Sequence, residues 1–129
     1  NWHRRNVPVE VIGPNPRTVS TWFRDKVDFA VRLPQWDEEA TLLGARLSDV
    51  AGDEAALVLY EVDGEKVSVL LFDATHFATL AHEAERSSAP LLDNSSGFNV
   101  AMRVRDGVAY TVTSGASEEI VYKLAEDAF

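Results

Sequence analysis

The run AALVLYEVDGEKVSVLLF, residues Ala55–Phe72, decides the fold. Two β-rich segments flank Asp63-Gly64, a pair suited to a type I′ turn because both central residues need φ > 0. With those two residues in the turn, Val62 faces Glu65, Tyr60 faces Val67, Val58 faces Val69 and Ala56 faces Leu71. That register predicts one side carrying Ala56, Val58, Tyr60, Val67, Val69 and Leu71. The other side carries Leu57, Leu59, Leu70 and Phe72, with Glu61 opposite Lys66 near the tip. An opposite-charge cross-strand pair favours this register by a few tenths of a kcal/mol, and a slip by one residue would move both charges to the other face. Both faces are apolar away from the tip, so the hairpin belongs mid-sheet with cover on each side.

Upstream, residues 1–17 (NWHRRNVPVEVIGPNPR) hold three of the five prolines and no periodicity. They read as an extended arm, with Val7, Val9 and Val11 alternating as an edge strand. Residues 18–129 read as a single α+β domain. A short helix capped by Thr18 or Ser20 puts Trp22 and Phe23 on its buried stripe. Asp28–Leu33 alternates as a strand that Pro34 stops. Gln35–Ala40, with Asp37, Glu38 and Glu39, is an acidic loop. Thr41–Val50 is a strand with Leu43, Ala45 and Leu47 on one face, and Gly44 inside it signals a bulge or a close backbone approach.

Downstream, Asp73 or Thr75 caps a helix to about Arg86 with a stripe of Phe77, Leu80, Ala81 and Ala84. Ser87–Gly97 reads as a long polar loop. A second hairpin, FNVAMRVRDGVAYTVTSG, turns at Asp106-Gly107. Its flanks do not match those of the first hairpin position by position, so no repeat is assigned. Ser117 caps a final helix with Ile120, Val121 and Leu124 inward. The expected architecture is an antiparallel sheet of about six strands built from hairpins, covered by two or three helices.

Composition bounds the chemistry. The 129 residues are 46% hydrophobic and 26% charged, the balance of an ordinary globular domain. A net charge of −9 repels nucleic-acid phosphates and anionic lipid, which argues against either as a partner of the domain itself. Absence of cysteine rules out disulfides, thiolate metal sites and thiol switches. No apolar run reaches 18 residues, and the first residue is Asn1, so the chain reads as a fragment of a longer protein.

Candidate sites are thin. His76 and His82, six apart on one expected helix, lie about 240° round it and cannot share a metal as i, i+4 histidines do. His3 stands alone in the arm. Ser95-Ser96-Gly97 and Ser114-Gly115-Ala116-Ser117 lack the glycine spacing of a nucleophile elbow. No cofactor, metal or catalytic set is expected. What remains is recognition: the acidic run Asp37, Glu38 and Glu39 for a partner or a hard cation, and Arg103 and Arg105, sharing the hairpin's outer face, for a carboxylate.

A resemblance supplies a function. Trp22-Phe23, then Leu42-Leu43-Gly44-Ala45-Arg46-Leu47, Ala55-Ala56-Leu57-Val58, Gly97-Phe98-Asn99-Val100 and Val112-Thr113-Ser114 occur in that order. This series resembles the C-terminal extracytoplasmic domain of membrane-bound, zinc-type anti-sigma factors and spans residues 18–115. Met102 and Thr111 stand where that family commonly has aromatics. The resemblance implies a regulatory, non-catalytic module on the periplasmic side of the bacterial inner membrane. It implies a membrane helix before Asn1 and a cytoplasmic zinc-binding part, outside this chain, that sequesters the sigma factor. Such a domain works by binding a protein or envelope component, by homodimer contacts or by controlling protease access. The alternative is a stand-alone α+β enzyme or ligand-binding protein with a pocket between sheet and helices.

Overall fold

The computed structural model describes residues 9–13, 15–34, 36, 40–50, 52–74 and 90–128. Its strands are β1 (Val11–Ile12), β2 (Ala40–Val50), β3 (Asp53–Val62), β4 (Glu65–Asp73), β5 (Leu91–Ser95), β6 (Phe98–Arg105) and β7 (Val108–Ser114). The helices are α1 (Pro16–Phe23) and α2 (Glu118–Ala128). All seven strands form one antiparallel sheet in the order β1-β2-β3-β4-β7-β6-β5, an α+β architecture with the two helices packed on it. The helix expected from residue 73 or 75 to 86 lies outside the described residues.

The β3–β4 hairpin has the predicted register, from Val62↔Glu65 to Ala56↔Leu71, with Glu61 opposite Lys66. Asp63 and Gly64 take φ of 50° and 82°, as a two-residue turn of this hand requires. Asp106 and Gly107 repeat those angles at 52° and 78° between β6 and β7. The strand order is two three-stranded meanders, β2-β3-β4 and β5-β6-β7, meeting at β4 and β7. The two Asp-Gly turns hold equivalent places in them, although the sequences do not match.

A Cβ at Gly64 would meet nothing within 4 Å, so only the backbone objects to a side chain there. Gly64→Val should therefore cost about 1–3 kcal/mol through strain at positive φ. An unchanged melting temperature would contradict that.

Core residues sort by sheet face. Ala56, Val58, Tyr60, Val67, Val69 and Leu71 are buried together with Val112 and Tyr110 of β7, under Val19 and Phe23 of α1 and Val121 and Ala125 of α2. On the opposite face Ala55, Phe72, Ala74, Val104 and Ala109 form a second cluster. Burial on both sides explains the near-continuous apolar strands.

Several expectations are corrected. Asn15, not Thr18 or Ser20, caps α1: its Oδ1 accepts from the Arg17 amide at 3.0 Å, and Pro16 takes the first helical position, where no N–H is needed. The helix ends at Phe23, although Val27 continues the buried stripe through a turn closed by its amide on the Phe23 carbonyl. Gly44 marks a bulge against Leu59, and the extra residue changes the alternation. Leu42, rather than Leu43, therefore joins Ala45 and Leu47 against the core, and Leu43 is exposed. A Cβ on Gly44 would stand 2.5 Å from the Val11 carbonyl oxygen, which is why the edge strand β1 can pair there. Ile120 is exposed; Val121, Leu124 and Ala125 carry the inward face of α2.

Two strands change places relative to expectation. Leu91–Ser95, read as part of a polar loop, pairs with β6 through a turn at Ser96 (φ 52°) and Gly97 (φ 83°). Asp28–Leu33, read as a strand, joins no ladder. Its alternation is real nonetheless: Phe29, Val31 and Leu33 are half-buried against the core while Asp28, Ala30 and Arg32 are exposed. The segment is a strap over the helix-bearing face.

Candidate functional site

The strap borders two clefts. On its α1 side, Phe23, Arg24, Val27 and Val31 help to line an opening of about 390 Å³. On its other side lies one of about 310 Å³, reaching the end of β4 and the β6–β7 turn. Asp28, Phe29 and Ala30 belong to both walls.

The second cleft gathers charge of both signs. Asp28 and Arg32 come from the strap, Asp73 from the end of β4, and Arg105 and Asp106 from the β6–β7 hairpin. The Ala74 amide donates to the Gly107 carbonyl at 2.8 Å and ties the two hairpin ends together. Arg32 Nη1 lies 3.4 Å from Asp106 Oδ2, but both side chains are mostly exposed (69% and 79%), and such a pair contributes little stability. Tyr110 closes the floor. Burial raises its hydroxyl pKa above the ordinary 10.0; Arg32 and Arg105 pull it down, and Asp106 pushes it up. The phenol is therefore a neutral hydrogen-bonding group at physiological pH.

Arg103 and Arg105 do share a face of β6, but it is the face on which α2 packs, because Ala101, two residues earlier, lies in that core. Arg103 is half-buried and its Nη1 donates to the Glu126 carbonyl at 3.3 Å. The last turn of α2 contains no basic residue and has Glu126 and Asp127 instead. A guanidinium from the sheet supplies the positive charge that the helix C-terminus favours. Arg103→Met keeps the stem and removes that charge, and should destabilise the domain by about 1 kcal/mol, less at high salt. Equal melting temperatures for the two proteins at low salt would remove this role. Arg105 is exposed and lines the second cleft. Asp37, Glu38 and Glu39 lie outside the described residues, as do His3, His76 and His82.

Trp36 is anchored rather than displayed. Its indole Nε1 donates to the Leu124 carbonyl at 2.8 Å, and its ring meets Tyr60 edge-on with centroids 4.9 Å apart. Trp22 is half-buried, edge-on to Phe23 at 4.9 Å, with Lys26 Nζ 4.4 Å from its ring centre.

Chemically, the second cleft sets carboxylates and guanidinium groups beside a phenol, groups that form ion pairs and hydrogen bonds. Among the described residues no group of three His, Cys, Asp or Glu side chains could hold a metal ion. Sequence reading missed the cleft-lining set of Asp28, Arg32, Asp73 and Asp106. The signal was present in part, since Asp28 and Arg32 fall on the outward side of one alternating segment. Their meeting with the β6–β7 turn depends on where the strap crosses the sheet, which no local pattern encodes. No protein-family model matches the sequence, and neither does any curated protein.

Proposed function

We propose that this chain is the extracytoplasmic regulatory module of a membrane-bound anti-sigma factor and acts by binding rather than by catalysis. The observation that carries the reading is the ordered motif series. Leu42–Leu47, Ala55–Val58, Gly97–Val100 and Val112–Ser114 fall on β2, β3, the β5–β6 turn with β6, and β7. They lie on the strands that build the sheet, so the resemblance is one of architecture and the functional reading follows from it by analogy. Partners on this reading are a protein or envelope component at the domain itself. The sigma factor is held only by a cytoplasmic part outside this chain, and the membrane is reached through a helix before Asn1.

The test is the gene. Its sequence upstream of Asn1 should encode an apolar span of about 20 residues, preceded by a helical segment bearing His and Cys. The full-length protein should fractionate with the inner membrane and co-purify a sigma factor. A start codon or signal peptide immediately upstream would overturn the reading. The mixed-charge cleft beside the strap favours a second reading, a small-ligand-binding protein, which that same result would promote.

A further inference from the structure

The outer edge of β2 already holds a short extended segment, the chain's own residues 9–13. Among the described residues β1 is the strand beside that edge. The Glu10 amide donates to the Ala45 carbonyl at 2.8 Å and the Gly13 amide to the Leu43 carbonyl at 3.0 Å. Between them Val11 pairs with Ala45 and Ile12 with Gly44. Val9 and Val11 are half-buried, Val11 against the core, while Glu10 and Ile12 are exposed. Three further features make this a fitted site rather than a bare edge. A Cβ on Gly13 would collide with the Leu42 carbonyl oxygen, and one on Gly44 with the Val11 carbonyl oxygen, so a glycine on each side lets the two backbones close. The Glu10 carboxylate accepts from the Leu47 amide at 2.7 Å, a charge-assisted bond. Arg46 Nε donates to the Leu47 carbonyl at 3.1 Å. Charged side chains thus take both backbone groups of Leu47, and the ladder stops there. The site spans Leu43–Leu47 and fits a segment of limited length.

We propose that the outer edge of β2 is a strand-acceptor site, closed in cis by residues 9–13 and open to the same segment of a second copy of this chain. The occupant follows from the fit. The segment supplies a carboxylate for the Leu47 amide, a glycine against the Leu42 carbonyl and an apolar side chain for the core, and a second copy carries all three. Exchange of the segment between copies makes no new kind of contact and loses none, which is the thermodynamics of a strand swap. In one chain the tethered segment competes at an effective concentration of about a millimolar, so the parent protein stays monomeric at micromolar concentration. The net charge of −9 on each copy opposes the encounter, and at about 0.15 M salt that repulsion is screened beyond about 8 Å. The site goes beyond the anti-sigma reading and does not depend on it.

The experiment is a complementation between two variants of the 129-residue chain. Gly13→Ala spoils the segment and leaves the acceptor edge intact. Gly44→Ala spoils the acceptor edge and leaves the segment intact. Each variant alone should sediment as a monomer at about 0.5 mM, and an equimolar mixture should form a heterodimer. Glu10→Ala added to the Gly44→Ala chain, which donates the segment, should weaken the heterodimer about tenfold. Added to the Gly13→Ala chain it should leave the heterodimer unchanged, a split that a general loss of stability would not produce. Should either variant fold poorly, the acetylated peptide VEVIGPN, residues Val9–Asn15, decides on the parent chain. At millimolar concentration it should compete with the cis segment and shift the Ala45 and Leu47 amide resonances, while the peptide with alanine in place of Gly13 should not. The proposal is overturned by a mixture that stays monomeric, by homodimers of either variant as stable as the heterodimer, or by an equal effect of Glu10→Ala in both chains. A native peptide that leaves the β2 resonances unmoved up to about 10 mM overturns it as well.

Discussion

Leu71→Ala is expected to lower the unfolding free energy by about 2–5 kcal/mol. Leu71 is fully buried at the middle of the sheet, paired with Ala56 on one side and Tyr110 on the other. Its side chain points into the cluster beneath α1 and α2, so truncation leaves a cavity walled by strands that cannot close on it. Leu70 is the matched control: adjacent in sequence, opposite in face and only half-buried. Leu70→Ala should cost about half as much or less, because partial exposure reduces both the transfer and the cavity contributions. Urea unfolding of the two variants measures the difference directly. A larger loss for Leu70→Ala would mean that the hairpin pairs one residue out of the drawn register, since a single-residue slip exchanges the faces.

The central hairpin was legible because its determinants are local. Asp63 and Gly64 tolerate positive φ, and once they fix the turn the register of every later pair follows from counting. Leu91–Ser95 escaped notice for the converse reason. Its residues, LLDNS, lie in a polar run between Pro90 and Gly97, and strand propensity there is weak. What recruits it is the Ser96-Gly97 turn, which brings it against β6. Asp28–Leu33 shows the limit from the other side. Alternation correctly gave which residues face the core, but alternation records burial and not hydrogen-bond partners. Partners depend on whether a neighbouring strand lies alongside, and here the sheet lies beneath. The recognition residues divide the same way: Arg103 and Arg105 share a face as strand periodicity requires, while the helix on that face was beyond local reading.

Trp36 adds a clamp to the three strap side chains already packed on the core, Phe29, Val31 and Leu33, and its loss gives the other large effect. Trp36→Ala is expected to cost about 2–4 kcal/mol. Three contributions are removed together: the half-buried indole area, the edge-on contact with Tyr60 and the hydrogen bond to the Leu124 carbonyl. An aromatic pair adds about 0.5–1.5 kcal/mol beyond its area, and a neutral hydrogen bond about 0.5–1.5 kcal/mol. Trp36→Phe separates them, keeping most of the ring contact and losing the donor, so about 1–2 kcal/mol should remain lost. The location of the damage is as informative as its size. Trp36 joins the end of the strap to α2 across the core, so α2 amides should exchange faster in Trp36→Ala, while those of β3 and β4 change only with global stability. Unaltered exchange in α2, or equal stability of the Ala and Phe variants, would mean that the indole does not clamp the helix. In the expected case, strap and helix are coupled through one side chain, the indole whose Nε1 donates to the Leu124 carbonyl.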